Sequence, residues 1–304
     1  MDGLPILALV LVPAVGFLPA ADLMTFLRWW PRLRPSVMRD RHSVVSPYGR
    51  LSYVMRGRGP RALVLIHGFL ESAEQWRPVT DLLPEGLRVI AVDLNSFGFS
   101  VPAKGVSLSK QSLSEALHWL LNSLEVSDAV VAGHSMGAEV AGMLAVNHPE
   151  TVGDLILLAP GGLRSRGFPV IPTPLVTLLF KNILVQRRFS RLDWSQASPE
   201  QRERFAVQYV INRRIPGRFL HRFQRDDDTG SLEVILPRIR QKTLVVWGDR
   251  DRVIPPEDGQ KVVRLLPGAS AVVIPGAGHD LPAAHTGDVV RLIQRVIDER
   301  EDIR

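Results

Sequence analysis

Between residues 43 and 274 the chain alternates short apolar runs with longer stretches of helical periodicity. Residues 43–46 and 51–55 read as two short strands joined by the turn Pro47-Tyr48-Gly49. Residues 62–66 are continuously apolar, as a strand covered on both faces requires. A helix is predicted over 72–83, a strand over 87–93, and a loop over 93–100. Leu113, Ala116, Leu117, Leu120 and Leu121 share one face of a helix predicted over 107–124. A buried run at 129–132 leads into a second helix, rich in Ala and Met, ending near Asn147. Residues 152–158 form the next strand. The alternation resumes at 243–247 (strand), 256–266 (helix), 271–274 (strand) and 284–301 (helix).

Strands and helices in this order call for a mainly parallel, eight-stranded-type α/β sheet with helices on both faces. The segment 162–240 breaks the pattern. Its stretch 174–193 is apolar in the first half and rich in Lys and Arg in the second, and 201–223 reads as one or two basic helices. It is expected to be a helical cap inserted into a core made of 43–161 and 241–304.

The N-terminus adds a further segment. Residues 4–21 are uncharged and almost wholly apolar, and the apolar character resumes after Asp22. This is close to the ~20 residues that span a bilayer. Arg28, Arg32, Arg34, Arg39 and Arg41 follow it, beside Trp29 and Trp30. Basic residues and interfacial tryptophans on the carboxyl side fit an uncleaved anchor on the cytoplasmic face. Pro5, Pro13 and Pro19 oppose a straight helix. The alternative is a signal-like segment, cleaved from a secreted or periplasmic protein. Residues 1–30 and the cap are therefore expected to contact a membrane. The net charge of +6 carries no nucleic-acid-binding module, so no nucleic-acid partner is expected. The 304 residues include no cysteine, which excludes disulfides and thiolate chemistry.

Candidate chemistry gathers at the ends of predicted strands. Gly133-His134-Ser135-Met136-Gly137 is a Gly-x-Ser-x-Gly turn between strand and helix, which strains the serine backbone and lifts its hydroxyl clear. Such a pentapeptide alone is a weak signal. However, Asp251, His279 and the loop His67-Gly68-Phe69 each also follow directly on a predicted strand. Parallel strands bring all four to one edge of the sheet, where ligands bind. A serine needs a base to take its proton. His279 is the candidate base, Asp251 would fix its tautomer, and the order Ser-Asp-His suits this topology. The N–H groups of Phe69 and Met136 are the candidate oxyanion hole.

These residues, with Asp93, Gly98, Ser100 and Gly248-Asp249-Arg250-Asp251, resemble the α/β-hydrolase superfamily over roughly residues 43–300. The similarity is to its cap-bearing branch of esterases, monoacylglycerol lipases, C–C bond hydrolases and perhydrolases. It implies a serine hydrolase acting on carboxylic esters, lipid-like esters among them, without a cofactor. The family pattern favours Asp251 over Asp249 as the triad acid. Alternatives are a C–C bond hydrolase or perhydrolase with the same triad, or a non-catalytic binder of apolar ligands.

Around the site, Leu70 and His67 are placed at the substrate pocket, with His67 also bracing the oxyanion loop. His134 should point away from substrate. His42, His118, His148, His221 and His285 lack the partner spacing of a metal site, so no metal is expected. The oligomeric state is not written in the sequence.

Overall fold

The architecture comes from a computed structural model, which describes Pro31 and residues 34–163, 198–226 and 231–301. The expected anchor at 1–30 and the apolar stretch at 175–185 lie outside the described residues. The chain divides into two compact units. One comprises Asp40–Val170 with Arg222–Arg304, the other Met1–Arg39 with Ile171–His221.

The first unit is built on a nine-stranded sheet in the order β1-β2-β4-β3-β6-β7-β8-β9, with β5 paired to β2. The strands are β1 (Arg41–Ser46), β2 (Gly49–Arg56), β3 (Ala62–Ile66), β4 (Arg88–Asp93), β5 (Val101–Pro102), β6 (Ala129–His134), β7 (Val152–Leu158), β8 (Lys242–Gly248) and β9 (Ser270–Ile274). All eight expected strands are present. β5 is an addition, because two residues are too few to show a period. From β4 to β9 the sheet is parallel, while β1, β2 and β5 pair antiparallel at one side.

β3 and β6 are buried along their whole length, and Leu63, Val64, Leu65 and Ile66 have no exposed surface. Each such side chain contributes roughly 1.5–3 kcal/mol by leaving water. From β3 the chain crosses to β4 on one side, then to β6 on the other. The pair β3–β6 is thus the switch point of the sheet, where a crevice opens beyond the strands' carboxyl ends.

The helices of this unit include α1 (Arg77–Thr80), α2 (Lys110–Ser123) and α3 (Met136–Asn147). The helix expected at 72–83 is shorter than its pattern suggests. A 3₁₀ turn at Ala73–Trp76 precedes the single turn of α1. Glu74, Gln75 and Trp76 are all buried there, so the segment is drawn inward rather than lying amphipathic on the surface.

A charged network pins this turn to the sheet. Asp93, at the end of β4, accepts from Ala73 N–H (2.8 Å), Phe99 N–H (3.0 Å) and the Arg41 guanidinium (2.5 Å). Arg41 also reaches Glu74 (2.8 Å) and Ser52 (2.9 Å). Buried carboxylates are tolerated only when satisfied in this way.

α4 (Pro199–Arg214) and α5 (Gly217–Arg225) occupy the expected basic helical stretch, and α6 (Ser231–Ile235) follows. In the second unit, α4 starts with a capping box between Ser198 and Gln201 and Pro199 at its first position. Its buried residues include Tyr209, Val210 and Ile211. Back in the first unit are α7 (Pro256–Leu265), α8 (Leu281–Ala284) and α9 (Thr286–Glu301); α9 is the expected final helix, and the short α8 ends before it at His285. α2, α3 and α6 pack together, as do α1, α8 and α9, and both sets rest on β6.

Candidate active site

The turn after β6 is tightly wound. Ser135 has φ 54° and ψ −118°, a left-handed conformation that side chains rarely adopt. It is held by its own N–H to Leu158 O (2.9 Å) and by Gly161 N–H to Ser135 O (3.2 Å). The two glycines permit the close crossing of strand and helix. A Cβ on Gly133 would lie 2.3 Å from Gly137 O, and one on Gly137 would lie 2.4 Å from Ile66 O. Ser135 sits at the N-cap of α3, yet its hydroxyl makes no cap bond. It lies 3.0 Å from His279 Nε2 instead.

His279 comes from the loop after β9, and its Nδ1 donates to Asp251 Oδ2 at 2.7 Å. That bond leaves the Nε2 lone pair facing the Ser135 hydroxyl. Asp251, in the loop after β8, is 4% exposed. Its Oδ1 accepts from Val253 N–H (2.8 Å) and Ile254 N–H (3.0 Å). Burial pushes the pKa of this carboxyl up, but the His279 hydrogen bond and charge, with the two backbone bonds, outweigh it and hold the pKa below the ordinary value. Asp249, the other candidate, accepts from Gly276 N–H (2.7 Å) on the exposed side of the loop.

The loop after β3 packs directly on Ser135. A Cβ on Gly68 would lie 3.4 Å from the serine Cβ. His67 Nδ1 donates to Gly68 O (2.7 Å), and Glu71 N–H donates to the same carbonyl (3.2 Å). Across a trans peptide the C=O and the next N–H point in opposite directions. Fixing Gly68 O therefore fixes the direction of Phe69 N–H. Met136 N–H is the first of α3, outside the helix's own ladder. Leu70 carries φ 59° and is half-buried.

His67 needs a correction as a pocket residue. It has no exposed surface, and its Nε2 accepts from Leu94 N–H at 3.0 Å. Both ring nitrogens are thus engaged with backbone, which leaves none for a ligand. Burial lowers its pKa, against the Gly68 bond and Asp93.

A family description, the alpha/beta hydrolase fold, matches residues 61–285. The chain belongs to that family. Among its relatives is a 2-hydroxy-6-oxononadienedioate/2-hydroxy-6-oxononatrienedioate hydrolase of Pseudomonas putida, 28% identical over 80% of this chain and 90% of that protein. Lipase 1 of Psychrobacter immobilis is 26% identical over 71% of this chain and 70% of its own. A crystal structure of a bacterial membrane phospholipase A has the same fold, with a TM-score of 0.72 and 24% identity over 96% of both chains.

Several residues of this α/β-hydrolase escaped the sequence pattern. Gln75 is buried between Gly68 and His134, where a polar residue in a predicted helix reads as surface. Phe223 of α5 stacks on Phe69 (5.3 Å, 26°), and Phe97 meets both edge-on at 5.7 and 5.4 Å. Phe69 remains 36% exposed, so an aromatic surface stands next to Gly68 and Ser135.

The fold also brings together His118, His148 and Glu150, whose polar atoms lie within 4.8 Å of one another. Sequence spacing gave no hint of this grouping. The two rings are stacked at 3.6 Å and 7°, so their in-plane lone pairs run side by side instead of converging on one point. His118 bonds Thr151 and His148 bonds Glu115. Among the described residues, no helix is long and apolar enough to cross a membrane.

Proposed function

We propose that this α/β-hydrolase is a serine esterase or lipase-type enzyme that works through Ser135, His279 and Asp251. The observation that carries the reading is the alignment Ser135 Oγ–His279 Nε2–Asp251, at 3.0 and 2.7 Å, on a strained elbow. His279 takes the Ser135 proton as Oγ attacks the carbonyl carbon. The oxyanion is met by the N–H groups of Phe69 and Met136. Collapse expels the alcohol, which receives the proton from His279. Water, deprotonated by His279, then attacks the acyl-enzyme and releases the acid.

The Phe69–Phe97–Phe223 cluster supports an apolar acyl or alcohol group, and the lipase relative agrees with a lipid-like ester. Purified protein is expected to hydrolyse p-nitrophenyl esters and to be labelled at Ser135 by a fluorophosphonate, with labelling strongly slowed in His279→Ala. Labelling at an undiminished rate in that variant would overturn the triad. Absence of turnover, together with tight binding of an apolar ligand, would favour a binding protein.

A second reading is C–C bond hydrolysis with the same triad, favoured by the 28% identical relative. Turnover of a 2-hydroxy-6-oxodienoate well above that of any ester would establish it.

A further inference from the structure

A chain of buried hydrogen bonds runs behind the candidate triad. Gly68 N–H donates to Gln75 Oε1 (3.1 Å), Gln75 Nε2 lies 3.0 Å from His134 Nδ1, and His134 Nε2 lies 2.8 Å from His279 O. We propose that Gln75 and His134 are positioning residues that hold the oxyanion loop and the His279 loop in one fixed geometry about Ser135. This rests on the serine-hydrolase reading above, since it assigns roles within that site.

The bond directions are forced. The acceptor at one end is the His279 carbonyl, which can only accept, so His134 Nε2 must carry its hydrogen. The donor at the other end is Gly68 N–H, so the Gln75 carbonyl oxygen must face it. The Gln75 amide N–H then points at His134 Nδ1, which must be the bare nitrogen. One tautomer of His134 and one amide orientation satisfy every bond. Burial, then the nearby His279, pushes the His134 pKa down to about 3, so the neutral ring persists across the working pH range.

What the chain connects gives it a purpose beyond packing. Gly68 is the residue whose carbonyl sets the direction of Phe69 N–H. The carbonyl of His279 is also held by Leu281 N–H at 2.9 Å, so its peptide is pinned from two sides. The His134 and His279 rings lie 4.9 Å apart. The loop that carries Phe69 N–H and the loop that carries the base are 211 residues apart in sequence (68 and 279), and the Gln75–His134 pair spans the gap through two bonded side chains. Loss of the pair would let the base drift from Ser135 Oγ, which affects the chemical step more than substrate binding.

The test uses the full chain with His134→Phe, Gln75→Leu, His134→Gln and the double variant of the first two. Phenylalanine and leucine keep approximate volume and remove the bonds, while glutamine offers an amide N–H toward His279 O. His134→Phe and Gln75→Leu are expected to lose kcat on the order of 10- to 100-fold, with KM changed less than about twofold. The double variant should lose no more than the worse single, because the two act as a unit. His134→Gln should regain most of the lost rate. Imidazole nitrogen NMR should show His279 as a single Nδ1–H tautomer in the parent and as a mixture in His134→Phe.

Unchanged kcat in both single variants would overturn the proposal. So would losses that simply follow Tm with glutamine no better than phenylalanine. If the parent neither turns over esters nor labels at Ser135, the hydrolase reading fails by itself. The His279 tautomer then decides positioning alone: a shift from the parent state in His134→Phe supports it, and an unchanged spectrum overturns it.

Discussion

Asp251 Oδ2 meets His279 Nδ1 at 2.7 Å, while the other carboxylate oxygen is occupied by two backbone N–H groups. The carboxylate therefore has one orientation, and it presents one oxygen to the ring. Replacing Asp251 with Asn keeps the shape but turns a donor toward Nδ1, forcing the opposite tautomer. Its kcat is expected to fall by on the order of 10³–10⁴, and Ser135→Ala should abolish acyl-enzyme formation. Steady-state ester kinetics and mass spectrometry of the trapped acyl-enzyme check both.

Gly137 faces the carbonyls of Ile66 and His67, where a Cβ would lie 2.4 and 2.5 Å from oxygen. Neither backbone group belongs to a flexible side chain, so strand β3 or helix α3 must shift. Gly137→Ala should destabilise the fold by about 3 kcal/mol and lower Tm by several degrees, measured by calorimetry.

Arg41 is buried at 3% side-chain exposure between Glu74 and Asp93. Arg41→Met would remove the cation that Glu74 and Asp93 share. A loss of about 3–5 kcal/mol in urea unfolding is expected. Glu74 would still pair with Arg77 at 2.6 Å, so Asp93 bears most of the cost.

Stability should fall in mild acid. His67 and His134 are buried and neutral, with pKa values below the ordinary 6.5, His134 at about 3. The unfolded chain takes up these protons near pH 6.5 and the folded chain does not. The unfolded state thus binds more protons below that pH, and the stabilisation present above it is lost as pH falls. Each histidine can add up to about 1.4 kcal/mol per pH unit to the slope. Unfolding free energies between pH 7 and 4 should lose part of this slope in His134→Gln.

The reading of residues 1–30 as a retained anchor predicts that the full chain sediments with membranes, while a chain starting at Pro31 stays in the supernatant. Cell fractionation with an N-terminal tag checks it, since a cleaved segment would separate the tag from the protein.

Much of the fold was legible because its signals are local. Continuous apolar runs at 62–66 and 129–132 mark strands buried on both faces, and the glycines around Ser135 mark a crossing too tight for a Cβ. The segment 72–83 misled because Glu74 and Gln75 look like solvent-facing positions. They are buried because Arg41 and His134, far away in sequence, supply their partners. His67 looked available to a ligand for the same reason: its acceptor role toward Leu94 N–H crosses 27 residues.

The sequence by itself determined the alternation of strands and helices, the strained elbow at Ser135 and the strand ends from which Asp251 and His279 emerge. These follow from periodicity and backbone sterics, which act over a few neighbouring residues. Only the tertiary structure showed how close Asp251, which the family resemblance favoured over Asp249, comes to His279. It also decided that Gln75 and His134 bridge two loops, and that Phe223 covers Phe69. Each of those depends on one polar atom or one ring meeting another across 28 to 154 positions of chain (251 to 279, 69 to 223). No repeating pattern records such a pairing, because it depends on where loops, a turn and a helix from distant parts of the chain meet once the sheet has formed.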